Sequence, residues 1–276
     1  MKKIKFIKYA GTGLGLLGAT MNLSYGVIDP KDYLEGNKFS CERKDLRGED
    51  GDTVVKFLKE KKANIQGIEI RSCRFGDDFF AKFAEVLKNN TTLKYLDIYH
   101  SDIEDAGAIE LAAGLQGNTT LEVLHLSFNY IRDVGAIELA GALKNNTNLK
   151  VLGFVRNRIK DAGAKALAEV LKDNTTLEEL LLTDNIIGDK GAKKLAEALQ
   201  DNKTLKRLDL AYNYIEDAGA VKLAWALAKN TTLESLFFLN NQIGEAAKIV
   251  LRAVWDYHDR PAANLILEAR KVPEDD

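Results

Sequence analysis

Apolar residues return at a fixed interval of 28 positions through most of this chain. The leading apolar residues of seven successive units follow one another without an insertion: Ile65, Leu93, Leu121, Leu149, Leu177, Leu205 and Leu233. In every unit, further apolar residues come three and five positions after the leading residue, as Leu124 and Leu126 do. This alternation is typical of a β-strand whose alternate side chains point to one side. Each unit is therefore predicted to begin with a short strand.

A second recurring position lies eight residues after each leading residue. It is occupied by Cys73, Ser101, Asn129, Asn157, Asn185, Asn213 and Asn241. A buried asparagine side chain both donates and accepts hydrogen bonds, so it can satisfy the backbone groups of the bend that ends the strand. The position predicts a ladder of polar side chains inside the protein.

The second half of each unit predicts a helix. An aspartate stands where an N-cap is expected in five units: Asp105, Asp133, Asp161, Asp189 and Asp217. A glycine two residues later allows close approach of two backbones. The inner helix face is apolar, as in Leu111, Ala112 and Leu115, and an asparagine such as Asn118 closes the helix.

This succession of strand, asparagine and helix strongly resembles the leucine-rich repeat family, in its ribonuclease-inhibitor-like subtype. The resemblance covers residues 65–260 as seven 28-residue repeats. It implies an α/β fold: a leucine-rich repeat solenoid (horseshoe) with a parallel sheet on the concave face and helices on the convex face. One unit cannot bury its own apolar faces, so stability requires stacking of neighbours.

The two ends of a solenoid must differ from its middle. Residues 27–64, with a helix predicted in "DTVVKFLKEKKAN", are assigned to an N-terminal cap, and residues 261–276 to a C-terminal cap and tail. Ile249, Val250 and Val254 occupy slots that are mostly polar or small in other units. We expect the apolar segment 262–269 to cover them.

Residues 1–26 predict a secretory signal peptide. Four lysines precede an apolar stretch that is too short to span a membrane, and cleavage is expected after Gly26. The alternative is an uncleaved amphipathic terminus. Gly13, Gly15 and Gly18 fit the dinucleotide-binding pattern, but no strand precedes them, so that interpretation is rejected. The expected location is secreted or periplasmic.

Composition and charge narrow the function classes. The chain has 276 residues, 46% of them hydrophobic and 29% charged, which is typical of a globular protein. Without residues 1–26, 35 basic and 41 acidic residues remain, a net charge of −6. That balance disfavours nucleic acid and anionic lipid as partners. Cys41 and Cys73 could pair across adjacent coils, but we expect free thiols because Cys73 occupies a buried slot.

Catalytic motifs are missing from the sequence: it has no Walker A loop, no H-E-x-x-H and no paired C-x-x-C. His125, Asp97 and Glu69 share one outward row of the predicted sheet, which allows a metal site or an acid–base pair. A solvated charge pair is the simpler interpretation, and we expect no catalytic residue, metal or cofactor. The Asn-Thr-Thr segments match glycosylation acceptors, but they are also part of the repeat consensus.

The variable positions of the strands carry the functional prediction. Positions two, four, six and seven after each leading residue face the concave side, and they combine aromatic residues and valines with arginines. This composition is typical of protein-binding surfaces. The candidate partner-binding residues are Tyr95, Tyr99, His100, Phe128, Val155, Arg156, Arg207, Tyr212 and Phe237. Because neighbouring strands lie about 5 Å apart, Tyr95, Tyr99, Phe128 and the valines beside them are expected to form one contiguous apolar patch.

The sequence thus predicts an exported protein-binding scaffold that captures a protein partner, host proteins included, on its concave face. We expect a monomer that has no nucleic-acid partner and, once mature, does not insert into membranes. The alternative is a regulator (GTPase-activating type) of a small GTPase, because Ran GTPase-activating proteins have similar repeats. A GTP hydrolysis assay would separate the two. A third alternative, a fragment of an innate-immune sensor, lacks the nucleotide-binding domain of such receptors.

Overall fold

The structure is a computed structural model that describes residues 34–60, 65–261 and 264–267. The predicted signal peptide, residues 1–26, lies outside the described residues, as does its cleavage point. The described segments form one solenoid in which strands and helices alternate along the chain.

Within the described residues, ten strands form one sheet, in which the strands lie side by side in the order of the chain. The first two pair antiparallel, and all later neighbours pair parallel, with Leu96 opposite Leu124 and Leu124 opposite Leu152. The strands of this sheet are β1 Leu34–Glu35, β2 Lys38–Glu42, β4 Gly67–Arg71, β6 Tyr95–Tyr99, β7 Val123–His125, β8 Val151–Gly153, β9 Glu179–Leu181, β10 Arg207–Asp209, β11 Ser235–Phe237 and β12 Leu265–Ile266. The predicted parallel sheet is confirmed.

The helices stack side by side on the other side of the solenoid, each in contact with the next along the chain. They are α1 Glu49–Glu60, α2 Phe79–Asn89, α3 Asp105–Gly117, α4 Asp133–Leu143, α5 Asp161–Leu171, α6 Asp189–Asp201, α7 Asp217–Leu227 and α8 Glu245–Tyr257. Within the described residues, none of these helices has the length and apolarity that a membrane crossing requires.

The core runs unbroken between the sheet and the helices, from Phe39 in β2 to Leu267 after β12. In the third repeat, Leu124 and Leu126 from the strand side pack in this core with Leu139 and Leu143 from α4. All four are at most 2% exposed. The alternate side chains of the strands and the apolar stripe of the helices therefore both face the core, as the sequence predicts.

The asparagine ladder ties each coil to the coil before it. The Nδ2 of Asn157 donates a hydrogen bond to the carbonyl oxygen of Leu126 (2.8 Å), and its Oδ1 accepts one from the backbone N–H of Ile131 (3.0 Å). Asn129, Asn185, Asn213 and Asn241 repeat this arrangement. Both partners are main-chain groups of the bend after the strand, so the predicted role of this position is confirmed.

The aspartates at the helix starts tie each coil to the coil after it, which corrects the predicted N-cap role. Asp133 is the first residue of α4, and the N-cap position belongs to Arg132, whose side chain caps nothing. The Asp133 Oδ1 instead accepts hydrogen bonds from the N–H groups of Lys160 and Gly163, both 2.8 Å long, in the next repeat. The first N–H groups of a helix have no partner in their own helix, so a carboxylate of the neighbouring coil supplies one.

The glycine of each helix start is required by this close approach. A Cβ atom at Gly135 would lie 2.8 Å from the Cβ of Ala108 and 2.9 Å from the Oδ1 of Asp105. These distances are well below normal van der Waals contact, so a larger residue would push α4 away from α3 and break the aspartate bond. The predicted close approach at this glycine is confirmed, but the nearest atoms belong to side chains and not to a second backbone.

The loops between strands and helices form a second, thinner ladder at the edge of the sheet. The N–H of Tyr130 donates to the carbonyl of Ile103, that of Arg158 to Ile131 and that of Ile186 to Ile159, each at 2.8 Å. In the first coils the same segment is regular enough to form a small parallel sheet, β3 Asp45–Leu46 with β5 Arg74–Phe75. Each coil is thus joined to its neighbours on two sides of the core.

The N-terminal segment is built like a further coil. Strand β2 pairs parallel with β4 in the continuing sheet, and α1 packs against α2, while β1 folds back antiparallel on β2. Cys41 and Cys73 lie in neighbouring coils, where both thiols are buried and free, with 3.7 Å between their Sγ atoms.

At the C-terminal end, the predicted cover over helix α8 is wrong for Ile249 and Val250, whereas Val254 is partly buried against the core. Leu265 and Ile266 add strand β12 to the sheet instead of lying on α8. Ile249 therefore stays 60% exposed and Val250 37% exposed. The apolar tail residues satisfy the open edge of β11, whose backbone groups would otherwise lack partners.

The asparagine ladder makes a direct prediction about stability. Asn157→Ala should lower the free energy of unfolding by about 1–3 kcal/mol, because buried N–H and carbonyl groups lose their partners. Glu169→Ala is the matched control in the same repeat, since this exposed residue only forms a 3.6 Å ion pair with Lys165. It should cost less than about 0.5 kcal/mol. Urea denaturation measures both, and equal losses would contradict the ladder's role.

Candidate functional site

The outward side of the sheet forms the concave face, on which side chains from neighbouring strands stand in rows. Strand pairing aligns Tyr95 with Val123 and Val151 in one row, and Asp97 with His125 and Gly153 in the next. Each row crosses strands that lie about 5 Å apart. Side chains of different repeats therefore meet on this face although 28 residues separate them in sequence.

An aromatic cluster made of Tyr99, Phe128 and Arg156 lies at the carboxyl ends of three neighbouring strands. The ring centroids of Tyr99 and Phe128 are 4.6 Å apart. The guanidinium carbon of Arg156 lies 5.0 Å from the centroid of Phe128, and that of Arg71 lies 5.8 Å from Tyr99. Val155 is half-buried beside them on the strand side. The structure thus brings together the residues that the sequence predicts in this region.

Tyr95 stands apart from the aromatic cluster, near the amino end of its strand. Its ring lies 6.1 Å from that of His125, and its hydroxyl is 3.4 Å from the Asp97 carboxylate. The sequence predicted one continuous apolar patch, but Asp97 and Arg71 stand between Tyr95 and Tyr99. The concave face therefore has two apolar areas separated by an ion pair.

The residues at the strand ends share an unusual backbone conformation. His100, Phe128, Arg156 and Tyr212 have φ angles of 49°, 59°, 55° and 54°, in the left-handed region that favours glycine. Their equivalents Ser72, Asp184 and Asn240 have the same conformation. It lets the backbone N–H reach the next strand, as Phe128 N does to the carbonyl of Val155 (2.7 Å). None of the seven positions is a glycine, although glycine would relieve the strain.

A second group of predicted residues lies further along the face, around Arg207. Its guanidinium carbon is 4.6 Å from the centroid of Phe237, and its nitrogens are 3.7 Å from carboxylate oxygens of Glu179 and of Asp209. Tyr212, after the end of the same strand, is 51% exposed. Arg207 and Phe237 thus form a stacked pair like Arg156 and Phe128.

Asp97 is buried on the concave face, which corrects the prediction of a solvated charge pair. It is 1% exposed, and its carboxylate accepts a 3.1 Å hydrogen bond from Arg71. Burial raises the pKa of Asp97 to about 6, and the opposing effect of the Arg71 guanidinium does not cancel the rise. Glu69 pairs with Lys38 at 2.7 Å. Neither carboxylate uses His125 as its ion-pair partner.

His125, next to Asp97 in the same row, is half-buried. Burial lowers its pKa to about 4, so the imidazole is neutral at physiological pH. The described part of the chain contains no group of three or more His, Cys, Asp or Glu residues that could hold a metal ion. The chemistry that the face offers is apolar contact, stacking on arginine and hydrogen bonding.

Comparison with known protein families matches the model described as "Leucine Rich repeat" to five segments: residues 89–112, 117–140, 145–168, 173–196 and 201–224. Each segment begins at or just after the end of one helix and runs through the following strand into the next helix. The chain therefore folds as an α/β leucine-rich repeat solenoid. A comparison with curated proteins gave no match.

Among solved structures, the chain is similar to leiomodin-1 actin-binding site 2, with 22% identity, a TM-score of 0.47, and coverage of 56% of this chain and 88% of that one. It is also similar to the tropomodulin C-terminal domain of Caenorhabditis elegans, with 10% identity, a TM-score of 0.37, and coverage of 76% and 93%. At these values neither similarity identifies a partner.

The raised pKa of Asp97 predicts a pH-dependent stability. A carboxyl whose pKa is higher in the folded state contributes stability that is complete below its ordinary pKa and is lost as pH rises through the folded value. The window therefore runs from 3.8 to about 6. Asp97→Asn stays neutral, so wild type should lose on the order of 2 kcal/mol relative to this variant between about pH 4 and 7.

Urea denaturation at several pH values measures this difference for the two proteins. The slope of stability against pH is the relevant readout, because the variant also loses its ion pair with Arg71 at every pH. Parallel profiles would show that Asp97 titrates normally.

Proposed function

We propose that this protein is an exported scaffold that captures a protein partner on its concave face and performs no chemistry of its own. The observation that carries the proposal is the stacking of Tyr99, Phe128 and Arg156 on three neighbouring strands, outside the core. Aromatic and arginine side chains of this kind are the commonest hot spots of protein interfaces.

The strained backbone at the strand ends supports the same conclusion. A non-glycine residue in the left-handed region costs on the order of 1 kcal/mol, and such strain tends to persist where a side chain has a function. Phe128, Arg156 and Tyr212 all stand at this position. A phenylalanine, an arginine and a tyrosine are kept where glycine would fit the backbone best.

The frame behind the concave face supports binding by preorganisation. The hydrogen bonds of Asn157 and Asp133 fix each coil against its neighbours, so the outward side chains are held before a partner arrives. Rigid surfaces lose little conformational entropy on binding. The partner contacts are therefore expected to form without rearrangement of the solenoid.

The finer features of the proposal come from the sequence. The 28-residue period with one strand and one helix per repeat supports the ribonuclease-inhibitor-like subtype. The lysines and apolar stretch of residues 1–26 support export to the periplasm or the exterior, where proteins of a host are among the candidate partners. We propose a monomer whose mature chain does not insert into membranes.

The concave face is tested with a fourfold variant: Tyr95→Ala, Tyr99→Ala, Phe128→Ala and Arg156→Ala. A partner is first identified by crosslinking to the tagged wild-type protein in the organism's natural surroundings, and its affinity is then measured with purified proteins. Removal of hot-spot side chains at about 2 kcal/mol each should weaken binding more than about a hundredfold. Circular dichroism and cooperative melting should be preserved, because the core is untouched.

The matched control removes three exposed apolar residues and one cation from the convex face: Ile109→Ala, Ile137→Ala, Trp225→Ala and Lys165→Ala. This variant should bind like wild type. Equal affinity of both variants and wild type would rule out the concave face, and a collapsed fourfold variant would mean that these residues belong to the packing.

Export has its own measurement. Mass spectrometry of the protein isolated from its source cells should find a mature chain that begins near Val27 outside the cytoplasm. An intact Met1 in the cytosol would contradict export without touching the binding proposal.

A further inference from the structure

The strand-to-helix loops present an outward surface beside the concave face. Burial alternates along residues 128–132: Asn129 and Ile131 are buried, whereas Tyr130 and Arg132 are exposed. The next repeats alternate in the same way. Six exposed residues of four neighbouring loops define what we call the edge surface: Tyr130, Arg132, Arg158, Lys160, Ile186 and Tyr214. The acidic Glu216, exposed at the position equivalent to Arg132 in the last loop, marks the end of this surface.

The edge surface combines exposed apolar side chains with a fixed backbone. Tyr130, Ile186 and Tyr214 are 37%, 40% and 57% exposed. They occupy equivalent positions of their loops, and the loop hydrogen bonds hold them in one row, in which Arg158 lies between Tyr130 and Ile186. The guanidinium carbon of Arg158 is 4.5 Å from the centroid of Tyr130. A row of this kind is available to a partner that also touches the concave face.

The cations of the edge surface lack acidic partners within the described residues, in contrast to two cations on the other side of the strands. Lys150 and Lys206, on the opposite side of the strands, form ion pairs with Glu122 and Glu178 at 2.9 and 2.7 Å. Within the described residues, Arg132, Arg158 and Lys160 have no carboxylate at ion-pair distance. Two carboxylates do lie near this edge, but the Oδ1 atoms of Asp105 and Asp133 accept backbone N–H groups of the next repeat.

We infer that the edge surface binds an acidic segment of the protein partner, with its carboxylates on Arg132, Arg158 and Lys160 and its apolar side chains on Tyr130, Ile186 and Tyr214. This inference rests on the proposed function, because it assigns chemistry to the same partner. Arginine binds carboxylates through a planar fork of donors, and stacking on Tyr130 orients that fork in advance.

The occupant is a protein segment and not a polyanion, because the positive charge is local. Three cations in two neighbouring coils are flanked by Glu104 in the preceding loop and Glu216 in a following one. The chain without residues 1–26 carries a net charge of −6. A nucleic acid or a sulfated glycan would extend into these acidic flanks, whereas a short acidic segment with apolar residues matches both components of the surface.

The test uses a random twelve-residue peptide library selected against immobilised wild-type protein, followed by titration of synthesised peptides. We expect the selected peptides to combine Asp or Glu with apolar residues. Their affinity should fall at least about tenfold in the double variant Arg158→Glu, Lys160→Glu, and it should weaken with salt. The control Lys144→Glu, Lys172→Glu makes the same charge change at the C-terminal ends of α4 and α5, outside the edge surface, and should bind like wild type.

The inference is overturned if the selection returns no binding peptide, if the peptides lack acidic residues, or if both double variants bind alike. Stronger binding of single-stranded RNA or a heparin fragment, lost in the same variant, would also overturn it. A further variant, Tyr95→Ala, Tyr99→Ala, separates this result from the proposed function. Loss of the natural partner in that variant, with acidic peptides still bound at the edge, supports both sites. If the natural partner is lost in that variant while the edge double variant binds both the partner and the peptides like wild type, the inference is overturned and only the concave face remains as a binding site.

Discussion

The amide of a buried asparagine holds successive coils of this protein together. Asn157 donates a hydrogen bond to the carbonyl oxygen of Leu126 and accepts one from the N–H of Ile131, both in the preceding coil. It thereby pairs two backbone groups of the bend that neither the strand nor the helix can pair. One side chain per repeat therefore lets the chain turn sharply inside a dry core. The spacing of strands and helices, and with it the geometry of every outward surface, depends on these bonds.

The aspartates complete the frame in the opposite direction. Asp133 bonds to the helix start of the next coil, while Asn157 bonds to the bend of the previous one, so each repeat is connected both ways through polar side chains. With the frame fixed by core and ladder, outward positions are free to serve binding. That freedom explains why Phe128, Arg156 and Tyr212 occupy left-handed positions that the frame alone would assign to glycine.

The architecture was predictable because it repeats: a period of two in the strands, one apolar helix stripe and one asparagine recur every 28 residues. The stacking of Tyr99, Phe128 and Arg156 followed from the same register. The role of Asp133 did not, because an aspartate before a helix is equally compatible with capping its own helix or the next one. The burial of Asp97 depends on how Tyr95 and Arg71 cover it, and the edge surface depends on the path of the loops. Neither has a periodic signal in the sequence.

The central claim is that frame positions determine stability, whereas outward positions in contact with solvent do not. A saturation scan of residues 149–176, read as protease resistance of the displayed protein, tests it most directly. Leu152, Phe154, Asn157, Asp161 and Gly163 should tolerate few substitutions, because each is buried or bonded to a neighbouring coil. Val151, Val155, Arg156, Arg158 and Lys160 should tolerate most of them. Comparable losses of resistance at both sets of positions would contradict the account, since the outward residues would then be part of the frame.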